Sequence, residues 1–334
     1  MSDASRISTP VDMECDGVQH VHLQVPNSTN LSGWGSLLVP ISVIKRGPGP
    51  TVLFIGGNHG DEYEGPLALT KLAHELRPEE VSGRVIILPA LNYPALLSGT
   101  RLSPIDGLNM NRVFPGRRAG GVTEMIADYV YRYLVTAADV VVDMHSGGGS
   151  MIFSPCAVIH RLDDPDQQRA CLDAGLAFGA PILLLLRELD REGMLDTAVE
   201  DLGKVFVSTE LGGGAFVTPG TLAIAERGVR NILRHFGMLA GEPEIDPPSR
   251  LMETPDRGAY EMALQAGLYE PVLEVGAAVR PSDVVGRIHD PDRPGSEPEN
   301  IHAALDGVLI TRAGRGWVRR GDTIAVLATD VAAP

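Results

Sequence analysis

The chain has 334 residues, of which 28 are lysine or arginine and 43 are aspartate or glutamate, so its formal net charge is −15. This excess of acid argues against nucleic-acid binding, which needs a cationic surface, and against docking on an anionic membrane. Hydrophobic residues make up 44% of the chain, which is enough to bury a large core, and the length fits one large domain and a smaller one.

Predicted strands alternate with predicted helices over the first 240 residues. Alternating or continuous apolar runs predict strands at 18–25, 36–44, 51–55, 84–88, 140–144, 182–186 and 205–209. Helical spacing of apolar residues predicts helices at 66–76, 123–135, 166–178 and 221–238. This alternation predicts an α/β sandwich around a largely parallel or mixed sheet.

The alternation of predicted strands and helices ends near the start of the last quarter of the chain. Residues 241–250 (GEPEIDPPSR) are rich in proline and acid and are interpreted as a linker between a domain at 1–240 and a β-rich domain at 251–334. In the second domain, VRPSDVVGRI at 279–288 is similar to VRRGDTIAVL at 318–327, which predicts two similar hairpins. The pattern resembles the barrel-sandwich fold of biotinyl and lipoyl carriers. Every lysine of the chain precedes the linker, however, which excludes a tethered cofactor.

His59 and Glu62 stand three residues apart in GGNHGDEYEG, directly after a predicted strand. Imidazole nitrogen and carboxylate oxygen are common zinc ligands, and a catalytic zinc site has three protein ligands and one open position. An HxxE pair alone is a weak motif that needs structural context. Here the surrounding glycines permit a tight loop at the carboxyl end of a strand, where open α/β sheets bind ligands.

A third metal ligand is predicted at the end of strand 140–144. His145 follows that strand and precedes SGGG, and Asp143 points to the same face of the strand. Asp143 is therefore expected to accept the proton of the other ring nitrogen of His145. The alternative is that His145 only ends a buried strand. The other seven histidines, including His160, lack such a setting and are predicted to be surface or packing residues.

Glu210 lies between a predicted buried strand and three glycines in VFVSTELGGG. Burying a carboxylate there is unfavourable unless the group has a function, and in a zinc hydrolase it acts as general base and then as general acid. Between the two predicted ligand segments, Arg101, Asn111 and Arg112 are candidates for polarising a carbonyl and binding a carboxylate. By count alone these arginines are surface residues, since all but three of the 28 basic residues are arginine.

Taken in chain order, GGNHGDEYEG, TR, NRVFPG, DMHSGG and TELGGG resemble the motifs of the succinylglutamate desuccinylase/aspartoacylase family, within the zinc carboxypeptidase superfamily. The matching segments cover residues 50–215. The resemblance implies a carboxypeptidase-like α/β/α sandwich with a mixed sheet, and hydrolysis of the amide of an N-acylated amino acid. It also implies residue roles: one zinc ion per subunit held by His59, Glu62 and His145, a carbonyl polarised by Arg101, an α-carboxylate bound by Asn111 and Arg112, and Glu210 as the base.

The chain departs from the family members that deacylate N-acetylaspartate. Those members carry an arginine shortly before the catalytic glutamate, whereas here residues 196–201 read DTAVED and no arginine lies between Arg191 and Glu210. Carboxylates repel an acidic substrate side chain and attract a cationic one. The segments DMHSGGGSMIFSPCAVIH and STELGGGAFVTPGT are also similar to members that act on N2-acetyl-L-2,4-diaminobutanoate in ectoine breakdown. We therefore expect deacetylation of a small N-acetyl diamino acid.

Two other functions stay open at this point. One is an aspartoacylase or succinylglutamate desuccinylase acting on an acidic N-acyl amino acid, and the other is a metal-dependent ligand-binding protein without turnover. In each case the expected partner is a small molecule rather than nucleic acid or membrane, and a homo-oligomer is expected. Since the three cysteines form no CxxC pair and the first twenty residues contain no apolar segment, a cytoplasmic location is predicted.

Overall fold

The computed structural model describes residues 5–186 and 191–331. The strands of the first 240 residues are β1 (Gly17–Pro26), β2 (Ser36–Arg46), β3 (Thr51–Gly56), β4 (Gly83–Leu88), β5 (Val140–His145), β6 (Met151–Phe153), β7 (Cys156–His160), β8 (Ile182–Leu186) and β9 (Val205–Glu210). The helices are α1 (Glu64–Glu75), α2 (Tyr93–Ser98), α3 (Val122–Tyr129), α4 (Pro165–Phe178), α5 (Leu195–Glu200) and α6 (Pro219–His235). All predicted strands and helices are present, and the helix predicted at 123–135 consists of α3 and a π-helical turn, Val130–Val135.

Eight of these strands form a mixed sheet in the order β1-β2-β4-β3-β5-β9-β7-β8. The three central pairings from β4 to β9 are all parallel, namely β3 with β4, β3 with β5, and β5 with β9. Strand β7 is antiparallel to β9 and parallel to β8. The carboxyl ends of β3, β5 and β9 therefore meet at one edge of the sheet, and the predicted metal and base residues follow or end these strands.

Helices cover both faces of this sheet. Because side chains alternate along a strand, Phe54 and Val142 pack into one apolar core with α1, α4 and α6. Their neighbours Leu53 and Val141 pack into a second core with α3 and α5. Strands buried on both faces are rich in apolar residues, which explains the continuous runs VLFI in β3 and VVV in β5. The predicted α/β/α sandwich with a mixed sheet is confirmed.

The C-terminal region adds nine strands. They are β10 (Arg250–Glu253), β11 (Tyr260–Met262), β12 (Gly267–Pro271), β13 (Ala278–Val279), β14 (Val284–His289), β15 (Glu299–His302), β16 (Gly307–Ala313), β17 (Trp317–Val318) and β18 (Thr323–Asp330). Strand β10 pairs with both β8 and β18, so the large sheet continues to β16 and β13. Strands β15, β14, β12 and β17 form a separate antiparallel sheet. The domain boundaries around 241–250 stay a prediction.

The two copies of the predicted repeat have the same turn. In the first copy the backbone N–H of Arg280 donates to the Asp283 carboxylate at 2.8 Å, between β13 and β14. In the second copy the N–H of Arg319 donates to Asp322, also at 2.8 Å, between β17 and β18. The shared arginine and aspartate positions of the repeat therefore mark equivalent turns.

The three cysteines differ in their exposure to solvent. Cys15 is exposed, Cys156 and Cys171 are buried, and all three are free thiols. Burial raises the pKa of Cys171 to about 11, so this thiol stays protonated at neutral pH. Among the helices of the described ranges, none is long and apolar enough to cross a membrane.

Candidate active site

A tight loop after β3 carries the first two predicted metal ligands. Gly57 has a φ of 66°, which is left-handed backbone that favours glycine. Within the loop His59 and Glu62 are both buried, each with 2% exposure. Nδ1 of His59 lies 2.7 Å from Oε1 of Glu62. The loop thus turns the two side chains of the HxxE pair towards each other.

Gly60 lets this loop approach the backbone at the end of α2. A Cβ built on Gly60 would lie 2.0 Å from the carbonyl carbon of Ala95. We expect Gly60→Ala to lower the free energy of unfolding by about 1–3 kcal/mol or more, because backbone must move. The matched control is Gly33→Ala, where an added Cβ would meet no atom within 4 Å. Equal urea midpoints for the two variants would contradict this account of the loop.

His145 brings the third predicted ligand to the same point. It is the last residue of β5, and its Nδ1 lies 2.8 Å from Oε2 of Glu62. The Glu62 carboxylate therefore lies between two imidazole rings, whose centroids are 5.0 Å apart. One donor atom from each of His59, Glu62 and His145 lies within 4.8 Å of the others. This buried group can hold a metal ion.

Fixed partners hold the far side of each imidazole ring. Nε2 of His145 lies 2.8 Å from Oδ2 of Asp143, to which Nδ2 of Asn58 also donates. Nε2 of His59 lies 3.1 Å from Oδ1 of Asn109. Such partners orient metal-binding imidazoles and make them better ligands. The partnership of Asp143 with His145 was predicted from their spacing, whereas that of Asn109 was not, because it depends on how the loop folds.

The charges of this group oppose the cost of burial. Burial alone would raise the pKa of Glu62, but His59 and His145 outweigh it and hold that pKa below its usual range. Burial would lower the pKa of His145, but Asp143 and Glu62 outweigh it and hold that pKa well above its usual value. For His59 burial prevails, and its pKa is lowered. The buried carboxylates of Glu62 and Asp143 therefore favour a positively charged group beside them.

Glu210 ends β9 beside this group, where it pairs with His145 in the sheet register. Burial raises the pKa of Glu210 to about 8, and the negative charge of Glu62 adds to the rise. Among the described residues, Oε2 of Glu210 has no hydrogen-bond partner and is shielded from solvent. Nη1 of Arg101 also lies close to this group, 3.3 Å from Oε1 of Glu62. A carboxyl group in such a setting is a candidate for proton transfer.

A single cavity of about 320 Å³ contains all seven predicted site residues. It is lined by His59, Glu62, Arg101, Asn111, Arg112, His145 and Glu210. This volume lies within the range of small-molecule sites. The rest of the wall is largely apolar and includes C-terminal side chains, namely Thr254, Tyr260, Ile310, Thr323 and Val326. The C-terminal region therefore shapes the site.

Sequence reasoning did not identify two lining residues that carry an imidazole or a carboxylate. His160, which was expected to be a surface or packing residue, is buried and lines the cavity, with Nδ1 2.9 Å from Oε1 of Glu200. It ends β7, which was not predicted and runs antiparallel to β9, so the rule that places site residues at the carboxyl ends of the parallel strands could not have identified it. Asp196 also lines the cavity and is 7% exposed. Its acidic segment was noted, but no pattern shows which of its carboxylates faces the site.

Comparisons with known proteins identify the family of the chain. A model of the succinylglutamate desuccinylase/aspartoacylase catalytic domain matches residues 48–236. The N-alpha-acetyl-L-2,4-diaminobutyric acid deacetylase of Halomonas elongata is 50% identical over 97% of this chain and 95% of its own length.

Solved structures extend the likeness over nearly the whole chain. The product-bound structure of the ectoine utilization protein EutE (DoeB) from Ruegeria pomeroyi is 46% identical with a TM-score of 0.95, covering 98% of this chain and 100% of its own. A succinylglutamate desuccinylase structure from a Silicibacter species is 48% identical with a TM-score of 0.95, covering 99% and 100%. The chain therefore belongs to the succinylglutamate desuccinylase/aspartoacylase family of hydrolases.

Proposed function

We propose that the protein is a zinc-dependent deacetylase that hydrolyses N2-acetyl-L-2,4-diaminobutanoate to 2,4-diaminobutanoate and acetate. The observation that carries this proposal is one cavity that combines a His-Glu-His group, an adjacent buried carboxyl group and two arginines. The name of the Halomonas elongata relative supports the substrate. The acidic segment before Glu210 supports it as well, since it offers a cationic side chain a partner.

The residues present fit a zinc ion. His59, Glu62 and His145 supply two nitrogens and one oxygen, which is a ligand set found in catalytic zinc sites. Their outer partners, Asp143 and Asn109, hold both Nε2 atoms and so leave both Nδ1 atoms for the metal. A bound zinc ion would lower the pKa of a water molecule to about 7 and polarise the amide carbonyl.

Three further residues bind and orient the substrate in this proposal. Asn111 and Arg112 bind the α-carboxylate, for which a guanidinium group is the best-matched partner. Arg101 is positioned beside Glu62 and donates to the carbonyl oxygen as negative charge develops there. Because the substrate is held at both ends of its reacting amide, attack by water becomes an effectively unimolecular step.

Glu210 moves the proton. It takes a proton from the attacking water and then gives it to the departing α-amine, so that acetate and a free amino acid leave. Its raised pKa, about 8, matches the second step, since a group that donates near neutral pH must hold its proton there. In the first step Glu210 must be unprotonated, so that it can accept a proton. The positive charge of a zinc ion held beside it would lower its pKa and favour that form.

Acetate release from a panel of N-acyl amino acids tests the proposal. We expect kcat/KM for N2-acetyl-L-2,4-diaminobutanoate to exceed that for N-acetyl-L-aspartate by at least about 10²-fold, because like charges brought together cost several kcal/mol. A chelator should abolish the activity, and added zinc should restore it. Activity that survives complete removal of the metal would contradict the zinc assignment.

The same panel decides between the alternatives. Preference for N-acetyl-L-aspartate or N-succinyl-L-glutamate would identify an acylase for acidic substrates. Binding of the diamino compound without release of acetate would identify a non-catalytic binding protein, which has no need of Glu210. We further propose that the enzyme is a homo-oligomer and acts in the cytoplasm, as expected for an acidic enzyme with free thiols.

A further inference from the structure

Asp196 is the one carboxylate of the described cavity wall that has no assigned part in metal binding, in orienting a metal ligand or in proton transfer. The others are Glu62, Asp143 and Glu210, which surround the two ligand histidines. Asp196 is 7% exposed, and among the described residues both hydrogen bonds to its carboxylate end on Oδ1. They come from Thr197, with the backbone N–H at 2.6 Å and the hydroxyl at 3.4 Å. Within the described residues, Oδ2 of Asp196 has no such bond.

The surroundings of Asp196 leave its negative charge poorly balanced. Burial raises the pKa of its carboxyl group, His160 lowers it, and the carboxylates of Glu200 and Asp143 raise it further. Nδ1 of His160 lies 2.9 Å from Oε1 of Glu200. No arginine or lysine of the described residues forms an ion pair with Asp196. A buried carboxylate in this state is stabilised by an incoming cation.

The segment that carries Asp196 contacts the segment that carries Asn111 and Arg112, the residues proposed to bind the α-carboxylate. The backbone N–H of Leu195 donates to Oδ1 of Asn111 at 2.8 Å. The N–H of Phe114 donates to the carbonyl of Gly193 at 3.0 Å. A Cβ on Gly193 would lie 2.4 Å from the carbonyl oxygen of Arg112, so the two segments touch through their backbones. The cavity wall therefore has a positive group, Arg112, and a negative group, Asp196, on two segments that are hydrogen-bonded to each other.

We propose that Asp196 binds the side-chain ammonium group of the substrate and selects cationic N-acetyl amino acids over neutral and acidic ones. This inference rests on the proposed function and names the residue that sets its specificity. An acidic side chain is repelled by Asp196. A neutral side chain of the same size leaves the buried carboxylate without a partner, which costs binding free energy.

The test compares two substrates of nearly the same shape. N2-acetyl-L-2,4-diaminobutanoate ends in an ammonium group where N-acetyl-L-norvaline ends in a methyl group. We expect Asp196→Asn to lower kcat/KM for the diamino substrate by about 10²-fold, mainly through KM, because the ammonium is remote from the reacting carbonyl. For N-acetyl-L-norvaline kcat/KM should stay the same or rise. Asp196→Glu, which keeps the charge, should keep the preference for the ammonium.

Asp201→Asn is the matched control, because Asp201 belongs to the same acidic segment but is exposed and does not line the cavity. It should keep the wild-type preference. An Asp196→Asn variant that keeps the preference, or loses activity equally on both substrates, would overturn the inference. If the wild type releases acetate from neither compound, the proposed function fails instead. Calorimetric titration of both compounds into the wild type and Asp196→Asn then still shows whether Asp196 selects the ammonium.

Discussion

We expect Glu210→Gln to lower the turnover number for acetate release by about 10²- to 10⁴-fold, the contribution typical of a general acid–base residue. Glutamine has the size of glutamate but cannot carry a proton between water and the leaving amine. The zinc content should not change, because Glu210 does not belong to the group formed by His59, Glu62 and His145. Steady-state kinetics and elemental analysis of the same preparation measure both quantities.

The control for this variant is Glu242→Gln, the same chemical change at an exposed glutamate away from the cavity. It should have wild-type turnover and zinc content. A Glu210→Gln variant that turns over at nearly the wild-type rate would show that another group moves the proton. One that loses its zinc would show that Glu210 binds the metal. Either result would remove the proposed role of Glu210.

We expect His145→Ala to lose zinc during dialysis and to lose activity in proportion. The variant keeps only two of the three metal ligands. It also removes the ring that lies 2.8 Å from both Glu62 and Asp143. Both of these carboxylate side chains are buried, at 2% exposure. Removing one partner from buried charges costs about 3–5 kcal/mol. The free energy of unfolding of the metal-free protein should therefore fall by that amount, as measured by urea unfolding in the presence of a chelator.

His22→Ala provides the comparison, since His22 is an exposed histidine on β1. It should keep its zinc and its urea midpoint. Should His145→Ala retain a full complement of zinc and normal turnover, the metal group would have to be assigned elsewhere. An unchanged urea midpoint for metal-free His145→Ala would instead contradict the electrostatic argument, because the carboxylates would not depend on the ring.

The parts of the fold and site that follow from local pattern were predictable. Strands β5 and β9 were predicted because each begins with a continuous apolar run, VVV in β5 and VFV in β9. The positions of His145 and Glu210 at the ends of these strands followed from that. The pairing of Asp143 with His145 followed from the two-residue period of a strand. The roles of Arg101, Asn111 and Arg112 came from the resemblance to a family and stay predictions.

Features that depend on contacts between distant segments were not predictable. The run Cys156–His160 is short and lies between loops, and its place between β8 and β9 depends on pairings that no local pattern encodes. The position of Asp196 at the cavity depends on hydrogen bonds from Leu195 to Asn111 and from Phe114 to Gly193. The sequence shows that the segment is acidic, but no pattern in it indicates which carboxylate faces the cavity.

The large sheet continues through β10 into the C-terminal strands. As a result, the reacting groups and part of the cavity wall come from different parts of the chain. The residues proposed for chemistry all precede residue 211, whereas part of the cavity wall comes from positions such as Tyr260, Ile310 and Val326. Substitutions in these late strands change the shape of the space beside the substrate and leave the reacting groups in place. Proteins with the same metal ligands can therefore diverge in substrate by changing the last quarter of the chain.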